Sequence, residues 1–249
     1  LFLVAHFHNV IIGGVVFGLF AGICYWWPKA FGFKLDPFWG KVSFWFWVTG
    51  FWVAFMPLYI LGLMGVTRRV RVFDDPSLQI WFAIAAVGAV MIAIGIAAMF
   101  MQFYVSFRNR DKLADISGDP WDGRTLEWAT SSPPPGYNFA FTPVSHGLDT
   151  WWDMKRFGQT RPRAAYIPIH MPKSTGTGVI ISALATICGF ALIWYIWWLA
   201  ALSFIGIIAV SIAHTFNYNR DYHIPADEVK RTEDERDRVL AAQPATQGA

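Results

Sequence analysis

Residues 80 to 107, IWFAIAAVGAVMIAIGIAAMFMQFYVSF, contain no Asp, Glu, Lys or Arg, and a helix across a bilayer needs roughly 20 such apolar residues. Three other stretches are equally free of charge: 1 to 28, 42 to 67 and 174 to 219. The first two can each form one crossing, and the last is long enough for two. Its aromatic middle, Trp194-Tyr195-Ile196-Trp197-Trp198, suits the membrane interface, so a tight hairpin is expected near residues 197 to 201. The expected fold is therefore all-α, a polytopic transmembrane helical bundle of about five crossings belonging to a larger subunit. Composition agrees: the 249 residues are 55% hydrophobic and 15% charged, with a mean hydropathy of +0.38. These numbers argue against a free-standing cytosolic enzyme. The chain starts at Leu1 inside an apolar run, which reads as a truncation within a longer protein.

Five crossings put the chain ends on opposite sides. All but three of the 20 Lys and Arg then fall on the side of the C-terminus, which the positive-inside rule assigns to the cytoplasm. The exceptions are Arg68, Arg69 and Arg71, together in one short loop, so a local anionic partner is expected there. The sequence divides into residues 1 to 107, with three crossings; 108 to 177, a polar cytoplasmic segment containing Pro133-Pro134-Pro135, which favours an extended run; 178 to 216, a transmembrane hairpin; and 217 to 249, a polar tail disordered at its end. Cys24 and Cys188 lie in apolar runs and build neither a disulfide framework nor a CxxC metal site. There is no P-loop, GxGxxG or nucleophile elbow, and no nucleic-acid partner is expected.

The motif that carries chemistry is Val4-Ala5-His6-Phe7-His8-Asn9-Val10. Metal-binding side chains inside a membrane helix are costly and mark function. Residues i and i+2 on a helix are about 200° apart, so His6 and His8 face opposite ways and cannot chelate one metal. They suit two centres, one on each side of the helix, and haem iron held by one imidazole is the natural candidate. Gly13, Gly14, Gly18 and Gly22 leave room beside this helix, with close helix packing the commoner explanation. Arg68 and Arg69 emerge on the side where the histidines enter, where they could hold haem propionates. The plainer reading of that loop is a solvated turn paired with Asp74 and Asp75. His146, His170, His214 and His223 are assigned no ligand role, and Pro57 is expected to kink the second crossing.

These motifs, with Tyr25-Trp26-Trp27-Pro28-Lys29, Gly118-Asp119-Pro120-Trp121 and Thr125 to Pro135, resemble subunit I of the haem-copper terminal oxidases. Within that family the chain is most similar to the bo-type ubiquinol oxidases, through Asn9 and the C-terminal hairpin. The resemblance implies that His6 is the axial ligand of a high-spin haem (haem o) and His8 that of a low-spin haem (haem b). It places Phe7 between them and gives Arg68 and Arg69 to the propionates. The copper ligands, the second axial His and the quinol-binding residues of the family lie outside this chain, so catalysis needs the preceding part of the same subunit. The implied partners are other oxidase subunits, ubiquinol, oxygen and the lipid bilayer of a bacterial inner membrane. The implied reaction is ubiquinol oxidation coupled to reduction of oxygen to water, with proton pumping. A cytochrome c oxidase is the nearest rival, and a membrane transporter with an intramembrane His relay is the rival of another class. A non-catalytic scaffold subunit is the third.

Overall fold

The computed structural model describes residues 1–72, 74–145, 147–157 and 165–242. Its apolar runs are helical: α1 (Phe2–Phe31), α2 (Pro37–Leu63) and α3 (Pro76–Arg108), each long enough to cross a membrane. A short helix α4 (Thr150–Phe157), strand β1 (Ile169–Pro172), helices α5 (Thr177–Ile193) and α6 (Trp197–Thr215), strand β2 (Asp221–Ile224) and helix α7 (Ala226–Ala241) follow. Helix α6 also has spanning length, and α5, with 17 residues, is apolar and shorter. This is a multi-pass helical membrane bundle. The described residues up to 157 form one compact unit, and those from 165 to 241 form a second.

In the first unit, α2 and α3 start alike. Asp36 and Asp75 each cap a helix whose first residue is proline, accepting from Trp39 N at 2.9 Å and Ser77 N at 2.9 Å. The aspartate oxygen satisfies an end N–H, and proline has none to lose. Ser43, Trp47, Gly50, Ala54, Pro57 and Leu61 of α2 are buried at alternating spacings of four and three, the period of a left-handed helix pair. The buried residues of α3 are Gly88, Gly95, Ala98, Gln102 and Ser106, with Gly88 against Ala54 and Gly95 against Trp47. A Cβ on Gly88 would lie 2.1 Å from Ala54 N, and one on Gly50 2.9 Å from Ile92 N, so backbones approach where side chains vanish. Ser43 Oγ donates across this seam to Gly95 O at 2.9 Å. The helix continues through Pro57 without a break.

Helix α1 lies along α2 through aromatic edges, Phe17 and Phe20 on Trp47 and Phe17 on Phe51. It contains a π-helical turn, Ile11–Val16, in which Phe17 N–H reaches back to Ile12 O. No neighbour approaches within 4 Å of a Cβ built on Gly14 or Gly18. Close backbone approach is made at Gly50 and Gly88 of α2 and α3, whereas Gly14 and Gly18 of α1 meet no neighbour.

The second unit is a helical hairpin, α5 and α6, with β1 and β2 paired antiparallel between the segment entering α5 and the segment leaving α6. Its turn is Trp194 to Ile196, earlier than the expected 197 to 201, because Trp197 and Trp198 already belong to α6. Ile196 N donates to Ala191 O at 2.8 Å and Tyr195 N to Leu192 O at 3.3 Å, with Tyr195 at φ +57°. This is the helix-ending motif normally built on glycine. Residues 221 to 241, read from sequence as polar tail, hold β2 and α7, with Val229 of α7 fully buried. The terminal stretch expected to be disordered, from Gln243, lies outside the described residues, as does His146.

Candidate metal centre at the head of the first helix

His6, Phe7 and His8 occupy the first turns of α1. His8 is half-buried, and its Nδ1 lies 2.7 Å from the carbonyl oxygen of Val4, one turn back. A carbonyl only accepts, so Nδ1 carries the proton and donates, which leaves the lone pair on Nε2. The ring stacks on Phe55 of α2 at 4.6 Å between centroids and 17° between planes. The imidazole is thus fixed in tautomer and in plane, as a metal-ligating histidine is. His6 is exposed and makes no hydrogen bond among the described residues. Phe7, 59% exposed, lies between them in sequence. Asn9 Nδ2 donates to Ala5 O at 3.0 Å, which turns its amide back along the helix.

The arginine loop leaves α2 through a glycine-built cap. Gly65 takes φ +88°, Gly65 N donates to Gly62 O at 3.1 Å and Val66 N to Leu61 O at 3.0 Å, satisfying the last carbonyls. Leu1 N then lies 2.6 Å from Val66 O, and a Cβ on Gly62 would meet Phe2 N at 2.2 Å. The loop and the head of α1 therefore share one end of the bundle. Arg68 and Arg69 are exposed and form no ion pair among the described residues. Asp75, in the same loop, is committed to capping α3, and its hydrogen bonds from Ser77 hold its carboxyl below the usual carboxylate range. The ion pairs with Asp74 and Asp75 that the plainer reading of the loop calls for are not made among the described residues. Arg69 sits at φ +69°, a left-handed conformation that costs a side-chain-bearing residue roughly 1–2 kcal/mol.

Among the described residues no three His, Cys, Asp or Glu side chains are arranged to hold one metal ion. Each histidine of the motif is a lone donor. The family described as "Cytochrome C and Quinol oxidase polypeptide I" matches residues 1–91. Ubiquinol oxidase subunit 1 of Acetobacter aceti is 53% identical over 98% of this chain and 38% of its own length. Cytochrome bo(3) ubiquinol oxidase subunit 1 of Buchnera aphidicola subsp. Schizaphis graminum is 51% identical over 94% of the chain and 36% of its own. A Bradyrhizobium diazoefficiens protein named "Probable cytochrome c oxidase subunit 1" is 53% identical over 93% and 35%. The chain belongs to the haem-copper oxidase subunit I family. It spans little more than a third of the length of these curated relatives.

Members of the haem-copper oxidase family bind haem and copper, and the residues present fit a haem on one test. His8 already has its Nδ1–H satisfied by protein, so Nε2 is free for iron. The open flank of Gly14 and Gly18 adds space beside the helix without adding a polar group.

A second constellation was not visible as a unit in the sequence. Lys29, in the last turn of α1, is buried, and its Nζ donates to Gly118 O at 2.7 Å, Thr130 O at 2.9 Å, Thr130 Oγ1 at 3.4 Å and Ser131 O at 3.2 Å. Tyr25 accepts from Trp128 Nε1 at its hydroxyl and from Trp121 Nε1 at its carbonyl, both at 2.9 Å. The two family-like motifs, Tyr25 to Lys29 and Gly118 to Pro135, are one clamp. Gly118, at φ +75°, fits because a Cβ would lie 2.3 Å from Thr130 O. Further along, Lys155 Nζ holds Asp119 Oδ2 at 2.9 Å and Gly123 O at 2.8 Å, and also bonds Asp122. Burial disfavours that ammonium, but the hydrogen bonds and charges of Asp122 and Asp119 outweigh it and raise Lys155 above the ordinary lysine value. The clamp anchors the polar segment on the end of the bundle opposite the histidine motif.

Proposed function

We propose that this chain is the C-terminal portion of the catalytic subunit of a bacterial respiratory terminal oxidase that oxidises ubiquinol and reduces oxygen to water with proton pumping. It would sit in the bacterial inner membrane with its C-terminus cytoplasmic and would act only with the preceding part of the same subunit. The observation that carries the reading is His8, whose Nδ1 is held by Val4 O and whose ring plane is set by Phe55. It sits two residues from a second histidine, in a chain that matches oxidase subunit I along almost its whole length.

In this reading His6 would hold the high-spin haem, haem o, and His8 the low-spin haem, haem b. The copper would be held by residues outside this chain. When bound, the haem irons and the copper supply electron transfer and the reduction of oxygen. The residues of this chain position and tune. Val4 O keeps the proton of His8 on Nδ1 and so raises the basicity of Nε2. Phe7 would separate the two centres with apolar packing. Arg68 and Arg69, without an ion pair among the described residues, offer planar, permanently charged donors that match propionate carboxylates.

The name of the Bradyrhizobium relative favours a second reading, in which the electron donor is cytochrome c. Purifying the intact complex and recording reduced-minus-oxidised spectra, with and without carbon monoxide, tests the haem assignment. Steady-state oxygen uptake with ubiquinol and with reduced cytochrome c separates the two readings. Two haem signals, one CO-sensitive, and turnover with ubiquinol alone are expected. Turnover with cytochrome c alone would establish the second reading, and absence of haem would reject both.

A further inference from the structure

The two short strands of the second unit place His170 directly opposite His223 in antiparallel register. Their imidazole centroids are 4.9 Å apart. Two imidazoles bound to one tetrahedral zinc, with each nitrogen about 2.0–2.1 Å from the ion, hold their centroids about 5 Å apart. Asp221, diagonal to His170 on the neighbouring strand, lies with Oδ2 2.7 Å from His170 Nε2. The histidine and the carboxylate are 59% and 56% exposed, so an ion can enter from solvent and the side chains can turn onto it. Neighbouring ligand atoms on one such ion stand about 3.3 Å apart, so the His170–Asp221 contact opens by little more than half an ångström.

We propose that His170, His223 and Asp221 form a surface site for a divalent transition-metal ion that staples β1 to β2 at the foot of the α5–α6 hairpin. Without the ion, His170 and Asp221 satisfy each other and the three donors do not yet surround one point. The ion replaces the shared proton between them. Imidazole nitrogens select zinc, copper and nickel over calcium and magnesium, which take oxygen ligands. The nearby cation, Lys173, is turned onto Asn219 Oδ1. The staple joins positions 51 residues apart in the chain, so binding restricts the ends of the hairpin relative to the unfolded chain. None of this depends on the oxidase reading, because the residues belong to a different unit from the histidine motif.

The test uses the intact purified complex, stripped with a chelator and titrated with Zn2+, beside His170→Gln, His223→Gln and the double variant. Wild type should bind one more Zn2+ per complex than the double variant, and each single variant should weaken that site at least tenfold. Cu2+ in place of Zn2+ provides a check that needs no variant to fold: its electron paramagnetic resonance spectrum should show coupling to imidazole nitrogen from two ligands. Identical Zn2+ isotherms for wild type and double variant, or a Cu2+ spectrum with no coupling to two imidazoles, would overturn the proposal.

Discussion

Val4 accepts the Nδ1 proton of His8 across one helical turn, at 2.7 Å, and Phe55 of the next helix lies flat against the same ring. The orientation of the His8 imidazole is therefore set by elements already packed, α1 on α2. Substituting Phe55→Ala removes the stack while leaving Val4 O in place. The low-spin haem of the intact complex should stay bound, with a changed spectrum and lower retention on heating, because the ring loses one of its two restraints. An unaltered spectrum and thermal retention would show that the stack has no role.

If Arg68 and Arg69 hold haem propionates as proposed, they raise the potential of that haem, since a neighbouring cation stabilises the electron-rich reduced state. Replacing either by Gln should lower that midpoint potential by about 10–40 mV, the equivalent of the roughly 0.2–1 kcal/mol of a partly screened charge pair. Arg69→Gly should shift the potential in the same direction while relieving the left-handed strain at φ +69°, so its loop should be no less stable than that of the Gln variant. Redox titration of each variant checks the sign.

The clamp gives a stability prediction. Lys29→Met would leave the carbonyls of Gly118, Thr130 and Ser131 without their shared donor, a loss of about 3–5 kcal/mol. Limited proteolysis of the segment from 118 to 131 should speed up by orders of magnitude, while the low-spin haem spectrum stays close to wild type because the histidine motif lies at the other end of the bundle.

Lys155 gives a pH dependence. Its value is raised by Asp122 and Asp119 over the opposing effect of burial, so its contribution is complete below the ordinary lysine pKa, about 10.4, and disappears as pH rises through the raised value. Protection of the α4 region from proteolysis should be flat from neutral pH to about 10 and fall above it. In Lys155→Met, protection should be lower throughout and show no such fall. A wild-type loss near neutral pH would contradict this origin.

Much of this was readable in the sequence, for physical reasons that differ by residue. Charge-free runs set the spans because bilayer thickness fixes their length. The spacing of His6 and His8 set their opposed directions because helix periodicity does. Asp36-Pro37 and Asp75-Pro76 are local helix starts and could have been read as such, as could the Gly50 to Ala54 spacing in α2. The turn of the C-terminal hairpin was misplaced because Tyr195 fills a position that local rules give to glycine. The Lys29 clamp was hidden because its partners lie 89 to 102 residues away, and no local pattern links an ammonium to distant carbonyls. The pairing of His170 with His223 was hidden likewise, since it depends on strand register across a helical hairpin.

The most direct measurement replaces His6 and His8 one at a time in the intact complex and records reduced-minus-oxidised spectra with and without carbon monoxide. His8→Leu is expected to lose the low-spin signal and keep the CO-sensitive one, while His6→Leu is expected to lose the CO-sensitive signal and keep the low-spin one. Retention of both haem signals in either variant would contradict the assignment of one haem to each face of α1.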